Sequence, residues 1–140
     1  MVYKHILLAS DGSENAVRAA KEAVKIASFT EESLINVVYV IEMDQSKYDV
    51  LHSNSKEEID IERRLKNSKV LQYLQEEKIN YKTTILRGRP GLEIVKYANE
   101  QKVDIVVIGS RGLNALQEMV LGSVSHKVMK RVNCPALVVK

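Results

Sequence analysis

Five short apolar runs, mostly β-branched, punctuate the chain: HILLA at 5–9, INVVYVI at 35–41, YKTTIL at 81–86, DIVVIG at 104–109 and ALVV at 136–139. Runs that are apolar at nearly every position belong to strands covered on both faces, as in parallel sheets. The third run alternates more and suits an edge strand. Between the runs, apolar residues recur every three or four positions, the period of a helix with one buried face. Residues 14–28 put Val17, Ala20, Val24 and Ala27 on such a face, with Ser13 as N-cap and Glu14 in the first turn. Residues 56–78 form a longer charged helix with Ile61, Leu65, Val70, Leu71 and Leu74 inward. Residues 90–101 start at Pro90, where a missing N–H costs little, and carry Ile94, Val95 and Ala98. Residues 123–132 bury Val124, Val128, Met129 and Val132.

Strands and helices therefore alternate from end to end, with no internal repeat and no low-complexity linker. This order implies an α/β fold: a single doubly wound domain over residues 1–140, its five strands parallel, with helices on both faces and right-handed crossovers. Residues 42–55, EMDQSKYDVLHSNS, are the one long polar connection, and a loop of that length is either a solvated surface loop or a functional one.

Composition narrows the class. At 140 residues, 45% hydrophobic and 28% charged, the chain is an ordinary globular domain rather than a disordered one. Its single cysteine, Cys134, excludes an internal disulfide and a multi-thiolate metal site, and suits a reducing cytosol. The opening MVYKHILLASDGS has too short an apolar run, cut by Asp11, for a signal peptide. No stretch approaches the roughly 18–20 apolar residues that span a bilayer. A cytoplasmic protein with no membrane partner is expected. The net charge of +3 is mild, the charges are interleaved, and the seven aromatics (six Tyr, one Phe) form no basic stripe, which argues against nucleic acid as a partner. His5, His52 and His126 have no metal-ligand spacing.

In an open α/β sheet, ligands sit beyond the carboxyl ends of the strands, where strand order reverses. Two strand exits carry small polar residues: ASDGS (9–13) after the first strand and GSRG (109–112) after the fourth. If those strands are neighbours, the two loops face one crevice. Gly109 and Gly112 would permit positive φ and let backbone N–H groups approach a ligand. Gly122-Ser123 then opens a helix, whose first N–H groups and dipole favour an anion, and Ser123 and Ser125 add hydroxyls. No G-x-x-x-x-G-K-[ST] occurs, and the glycine spacing is not that of the G-x-G-x-x-G dinucleotide turn. From the residues alone the segment is either an anion cradle or a set of turn-closing glycines.

Gly109-x-x-Gly112, nine residues, then Gly122-Ser123 resembles the G-2x-G-9x-G-[S/T] signature of the universal stress protein family. ILLASDGSENA is similar to that family's first strand and acidic turn, VVYVIE to its second strand, GRPGLEIVKYA to its third-helix entry and NCPALVV to its closing strand. The resemblance spans the chain in order. It implies a sheet of order 3-2-1-4-5 and, because the glycine signature is intact, the branch that binds ATP. Carried onto this sequence, it implies that Asp11 accepts from the ribose hydroxyls, a task suited to a fixed carboxylate. Ala9 and Val40 would line the adenine pocket, Ser10 would count among the nucleotide-binding residues beside Asp11, and Ile108 and Gly109 would lie close to the nucleoside. Gly112, Gly122, Ser123, Val124 and Ser125 would hold phosphates, chiefly through backbone N–H. Arg111 either reaches a phosphate or stays solvated. The ligand expected is ATP, with ADP or AMP as alternatives, and any Mg or Mn would be held by the phosphates.

The remaining candidates have plainer readings: Ser13 as a cap, His126 and Lys127 at the surface, Cys134 as a structural residue before Pro135, Tyr39 and Tyr73 as packing residues. The closing strand at 136–139 would expose unpaired backbone at a sheet edge, and pairing with its copy in a second subunit would cover it, as the resemblance also implies for a homodimer. A nucleotide-dependent regulatory dimer with an unidentified protein partner is the expected function. Efficient phosphoryl transfer needs positioned cations and a group orienting the nucleophile, and the segment supplies no evident base. Slow or partner-dependent hydrolysis is one alternative, and a nucleotide-free interaction module is another.

Overall fold

The computed structural model describes residues 3–42, 61, 65–110 and 122–140. Five strands, β1 (His5–Ala9), β2 (Leu34–Glu42), β3 (Tyr81–Gly88), β4 (Ile105–Gly109) and β5 (Ala136–Val139), form one sheet of order β3-β2-β1-β4-β5. Every pairing is parallel. The third run thus occupies one edge, as its alternation suggested, and the last run occupies the other. Strand order reverses between β1 and β4, and their register pairs Ala9 with Ile108. The exits of the first and fourth strands are neighbours.

Four helices are seen among the described residues: α1 (Glu14–Ala27), α2 (Ser68–Glu76), α3 (Pro90–Gln101) and α4 (Ser123–Arg131). Because side chains alternate along a strand, β1 feeds both layers. Ile6 and Leu8 pack with Ala16, Ala19, Ala20, Ala23, Val24 and Ala27 of α1 and with Val70 and Leu74 of α2. Leu7 and Ala9 turn the other way, onto Ile94 and Ala98 of α3 and Val128 of α4. Each of the fully buried Ile and Leu side chains stabilises the fold by about 1.5–3 kcal/mol. Alanines dominate the inner face of α1, which lets that helix lie close to the sheet. One polar group is embedded in the second layer: Asn36 of β2 is fully buried, donating from Nδ2 to Tyr97 Oη at 2.8 Å and accepting from Thr84 Oγ1 at 3.0 Å. Its amide is satisfied on both sides, as burial demands.

The caps follow the sequence closely. Ser13 Oγ accepts from the Ala16 N–H at 3.2 Å, and Pro90 occupies the first turn of α3. Three expected core positions do not hold. Ile61 and Leu65 are 57% and 68% exposed, and Met129 is 47% exposed. A turn at Asn67 separates α2 from the helical residues before it, so the inward stripe of Val70 and Leu74 does not extend back to Leu65 and Ile61. In α4 the inward positions are Ser125 and Val128, and Met129 lies about 100° round the helix from Val128. Val17, Val124 and Val132 are half-buried at the margins of the two cores. Residues 43–55 of the long polar connection lie outside the described residues, as do 56–60 and 62–64 of the expected helix.

Candidate functional site

The first turn is tightly determined. Ser10 extends β1 by one residue, donating its N–H to the Val38 carbonyl at 3.0 Å. Asp11 is exposed, and its Oδ1 accepts from the Ser13 N–H at 2.9 Å, so the carboxylate is fixed by its own turn. Gly12 sits at φ +83°, where a side chain would be strained, and a Cβ there would come within 2.6 Å of the Lys66 carbonyl oxygen. The turn therefore has no room to relax on that side. Ser13 then starts α1.

The second turn leaves β4 at Gly109 and Ser110. Ser110 continues the ladder by donating its N–H to the Val139 carbonyl at 2.7 Å. Its carbonyl accepts from the Gly122 N–H at 2.7 Å and lies 2.9 Å from Ser125 Oγ. One carbonyl thus fastens the amino terminus of α4 directly to the exit of β4. Gly122 is the N-cap, and the first bond inside the helix runs from the His126 N–H to the Gly122 carbonyl at 3.0 Å. The N–H groups of Ser123, Val124 and Ser125 precede that bond and have no intrahelical acceptor, which concentrates the positive end of the helix dipole here. Lys130 and Arg131 in the last turn complement the other end.

The apolar candidates converge. Ala9, Ile108, Val40 and Val124 all belong to the cluster on the α3–α4 side of the sheet, beneath the two turns. Ala9 and Ile108 are buried at 5% and 6% exposure, whereas Val40 and Val124 are half-buried. Ser123 is exposed at the first helical position. Arg111 and Gly112 lie outside the described residues.

Three expectations change in detail. Gly109 has no positive φ; positive values among the described glycines occur at Gly12 and Gly88. Its side chain is missing because α1 passes over it: a Cβ would lie 2.9 Å from Asn15 Cβ and 3.1 Å from the Asn15 carbonyl oxygen. The Ser125 hydroxyl does not face outward but is 2% exposed, between the carbonyls of Ser110 and Gly122, and it pins the start of α4 to the exit of β4. The Ser10 side chain is likewise buried, on the side of the sheet facing α1, where its hydroxyl donates to Asn67 Oδ1.

Ser110 and Asn67 were not singled out by sequence. Ser110 acts through its backbone, which no side-chain pattern reveals. Asn67 stands just before an apolar helical run, the usual place of a cap. Its side chain makes no cap bond to α2.

Elsewhere the chemistry is sparse. Among the described residues no three His, Cys, Asp or Glu come together as a metal site, and no helix is long and apolar enough to cross a membrane. Cys134 is half-buried, and burial pushes its thiol pKa up, away from the lowered values of reactive cysteines.

Known proteins share both pattern and fold. The family model described as the universal stress protein family matches residues 2–140. The universal stress protein YxiE of Bacillus subtilis is 34% identical, the match covering 99% of this chain and 100% of YxiE. The solved structure of MJ0577 from Methanocaldococcus jannaschii superposes with a TM-score of 0.85 at 32% identity, over 100% of this chain and 97% of that one. The universal stress protein of Archaeoglobus fulgidus, solved in complex with dAMP, shares the fold with a TM-score of 0.75 at 24% identity, over 100% of each chain. A family match along nearly the whole length, with relatives above 30% identity over the full chain, gives the affiliation: the chain belongs to the universal stress protein family.

Proposed function

We propose that this protein binds an adenine nucleotide, ATP foremost, in the crevice between the ASDGS turn and the start of α4, and works as a nucleotide-dependent regulatory dimer in a stress response. The observation that carries the reading is the Ser110 carbonyl holding the Gly122 N–H at 2.7 Å. It anchors three helix-start N–H groups beside β4, one strand from the fixed carboxylate of Asp11. Helix-start N–H groups suit phosphate oxygens, and a carboxylate suits the paired hydroxyls of a ribose.

In this reading Asp11 accepts from the ribose, and the backbone of Ala9 and Val40 meets the adenine edge. Ile108 and Gly109 border the nucleoside. Ser123, Val124 and Ser125 donate backbone N–H to phosphates, joined by Gly112 and, on the phosphate alternative, by Arg111. Gly122 adopts φ −65°, open to any residue, so its conformation does not require glycine, and a close-lying phosphate would. The dAMP complex of the Archaeoglobus fulgidus protein supports adenine nucleotides as the ligand class for this fold. Any divalent ion rides on the phosphates.

The dimer would form through β5, the sheet edge, where Leu137 is 37% exposed and the outer backbone groups suit antiparallel pairing with a copy. Sedimentation equilibrium tests this, with a dimer mass expected and a monomer at micromolar concentration contradicting it.

A thermal-shift titration with ATP, ADP and AMP tests the ligand. At about a hundred times Kd, binding stabilises the fold by about 2.7 kcal/mol. That raises the midpoint by roughly 5–10 °C for a domain of this size. No shift with any of the three would overturn the reading.

A further inference from the structure

The ASDGS turn is held from outside as well as from within. The segment before α2 reaches it twice. The Lys66 carbonyl oxygen lies where a Cβ on Gly12 would fall, at 2.6 Å. Asn67, 2% exposed, accepts at Oδ1 from the hydroxyl of Ser10, itself 8% exposed, so the bond is made out of water. Ser10 Oγ in turn accepts from the Gly12 N–H at 3.3 Å. A chain of bonds therefore runs from Asn67 through Ser10 to the backbone that carries Asp11, and Asp11 is locked to Ser13 at 2.9 Å.

Asn67 gives up an ordinary role to do this. It precedes α2 at the cap position, yet its backbone is not extended (φ −95°, ψ 10°), and its side chain makes no cap bond to that helix. The side chain is directed across the fold, 57 residues back in sequence, to a turn that α2 does not contain.

We propose that Asn67 is a positioning residue of the nucleotide site, setting the orientation of the Asp11 carboxylate through Ser10. This rests on the nucleotide reading above. Asn67 touches no ligand itself; it fixes the turn so that the ribose meets a carboxylate already in place. Preorganisation of this kind acts on affinity by removing an ordering cost from the bound state. It must act most on ligands that use the ribose hydroxyls and least on those that lack them.

The test compares wild type, Asn67→Ala, Ser10→Ala and the double variant, each checked for native secondary structure and cooperative unfolding. Calorimetric titration with ATP and with 2′,3′-dideoxy-ATP gives two affinities per protein. Losing one such bond is expected to weaken ATP binding by about three- to tenfold. The penalty should shrink toward none with the dideoxy nucleotide, and the double variant should be no worse than the poorer single one. Hydrogen exchange of the Gly12 and Ser13 amides without ligand is the second readout, expected to be faster in Asn67→Ala. Equal losses for both nucleotides, additive effects, or unchanged affinity would overturn the positioning role. If wild type binds neither nucleotide, the nucleotide reading fails; the exchange readout still decides whether Asn67 orders the turn, and unchanged exchange would overturn that too.

Discussion

The two ends of the parallel sheet use polar groups in opposite senses. At the amino end, the Asp104 carboxylate closes the fold on itself: Oδ2 accepts from the N–H groups of Lys4 at 3.0 Å and His5 at 2.8 Å, stitching the start of β4 to the start of β1. Ser33 donates to the Tyr3 carbonyl at 2.7 Å nearby. At the carboxyl end the buried groups are tied just as firmly, through Ser10, Ser110 and Ser125. The Asp11 carboxylate is exposed, and three N–H groups open α4 with no intrahelical acceptor. Among the described residues, the amino end ties its carboxylate into the backbone, while the carboxyl end carries an exposed carboxylate and a helix start above its buried ties. The topology bears on the difference, because α1, which follows β1, and α4, which follows β4, lie on opposite faces of the sheet, the arrangement in which open α/β sheets bind ligands beyond their strand ends.

The largest expected break in this contrast is Gly122→Val. Its backbone angles permit valine, so the fold should survive, while a branched side chain would fill the space assigned to a phosphate. Affinity for ATP should fall by about a hundredfold or more, some 2.7 kcal/mol. Calorimetric titration of the folded variant measures it, and unchanged affinity would count against the cradle.

Gly109→Ala should act differently. Its new Cβ meets Asn15 at 2.9 Å, with α1 backbone just behind, so the helix must shift. A stability loss of about 1–3 kcal/mol is expected. Urea unfolding reads it, and a neutral result would mean that α1 moves freely over β4. The next effect belongs to the closed end. Asp104→Ala leaves two backbone N–H groups without their acceptor and should cost about 1–2 kcal/mol. ATP affinity should not change, and a parallel loss of affinity would show that the two ends are not independent.

The smallest effect is a pH dependence. Burial first, and then the Lys82 ammonium, lower the His5 pKa from its usual value, against the opposite pull of Asp104. The unfolded chain therefore takes up the proton first. Stability is unaffected above neutral pH, falls as pH drops through the unfolded value of about 6.5, and levels off below the lower folded value. Unfolding midpoints between pH 7.5 and 5 should show this dip, and His5→Gln should reduce it.

Much of this was legible in the residues. The runs at 5–9 and 136–139 coincide with β1 and β5, and β-branched runs mark strands buried on both faces. Ser13 and Pro90 marked helix starts because capping is local chemistry. What escaped depended on contacts remote in sequence. Gly109 reads as a flexible joint until α1 is seen passing over it. Ser125 reads as a ligand hydroxyl until Ser110 appears beside it. Leu65 and Ile61 fit a helical stripe that the turn at Asn67 interrupts. Periodicity describes one element at a time and cannot report which element lies against another.

Amide-resolved NMR during an ATP titration puts the contrast to its most direct test. Shift changes should concentrate at Asp11, Gly12 and Ser13 and at Ser123, Val124 and Ser125, while Lys4, His5 and Asp104 stay fixed. Changes gathered at the amino end, or none anywhere at saturating ATP, would contradict the assignment of the carboxyl end as the nucleotide site.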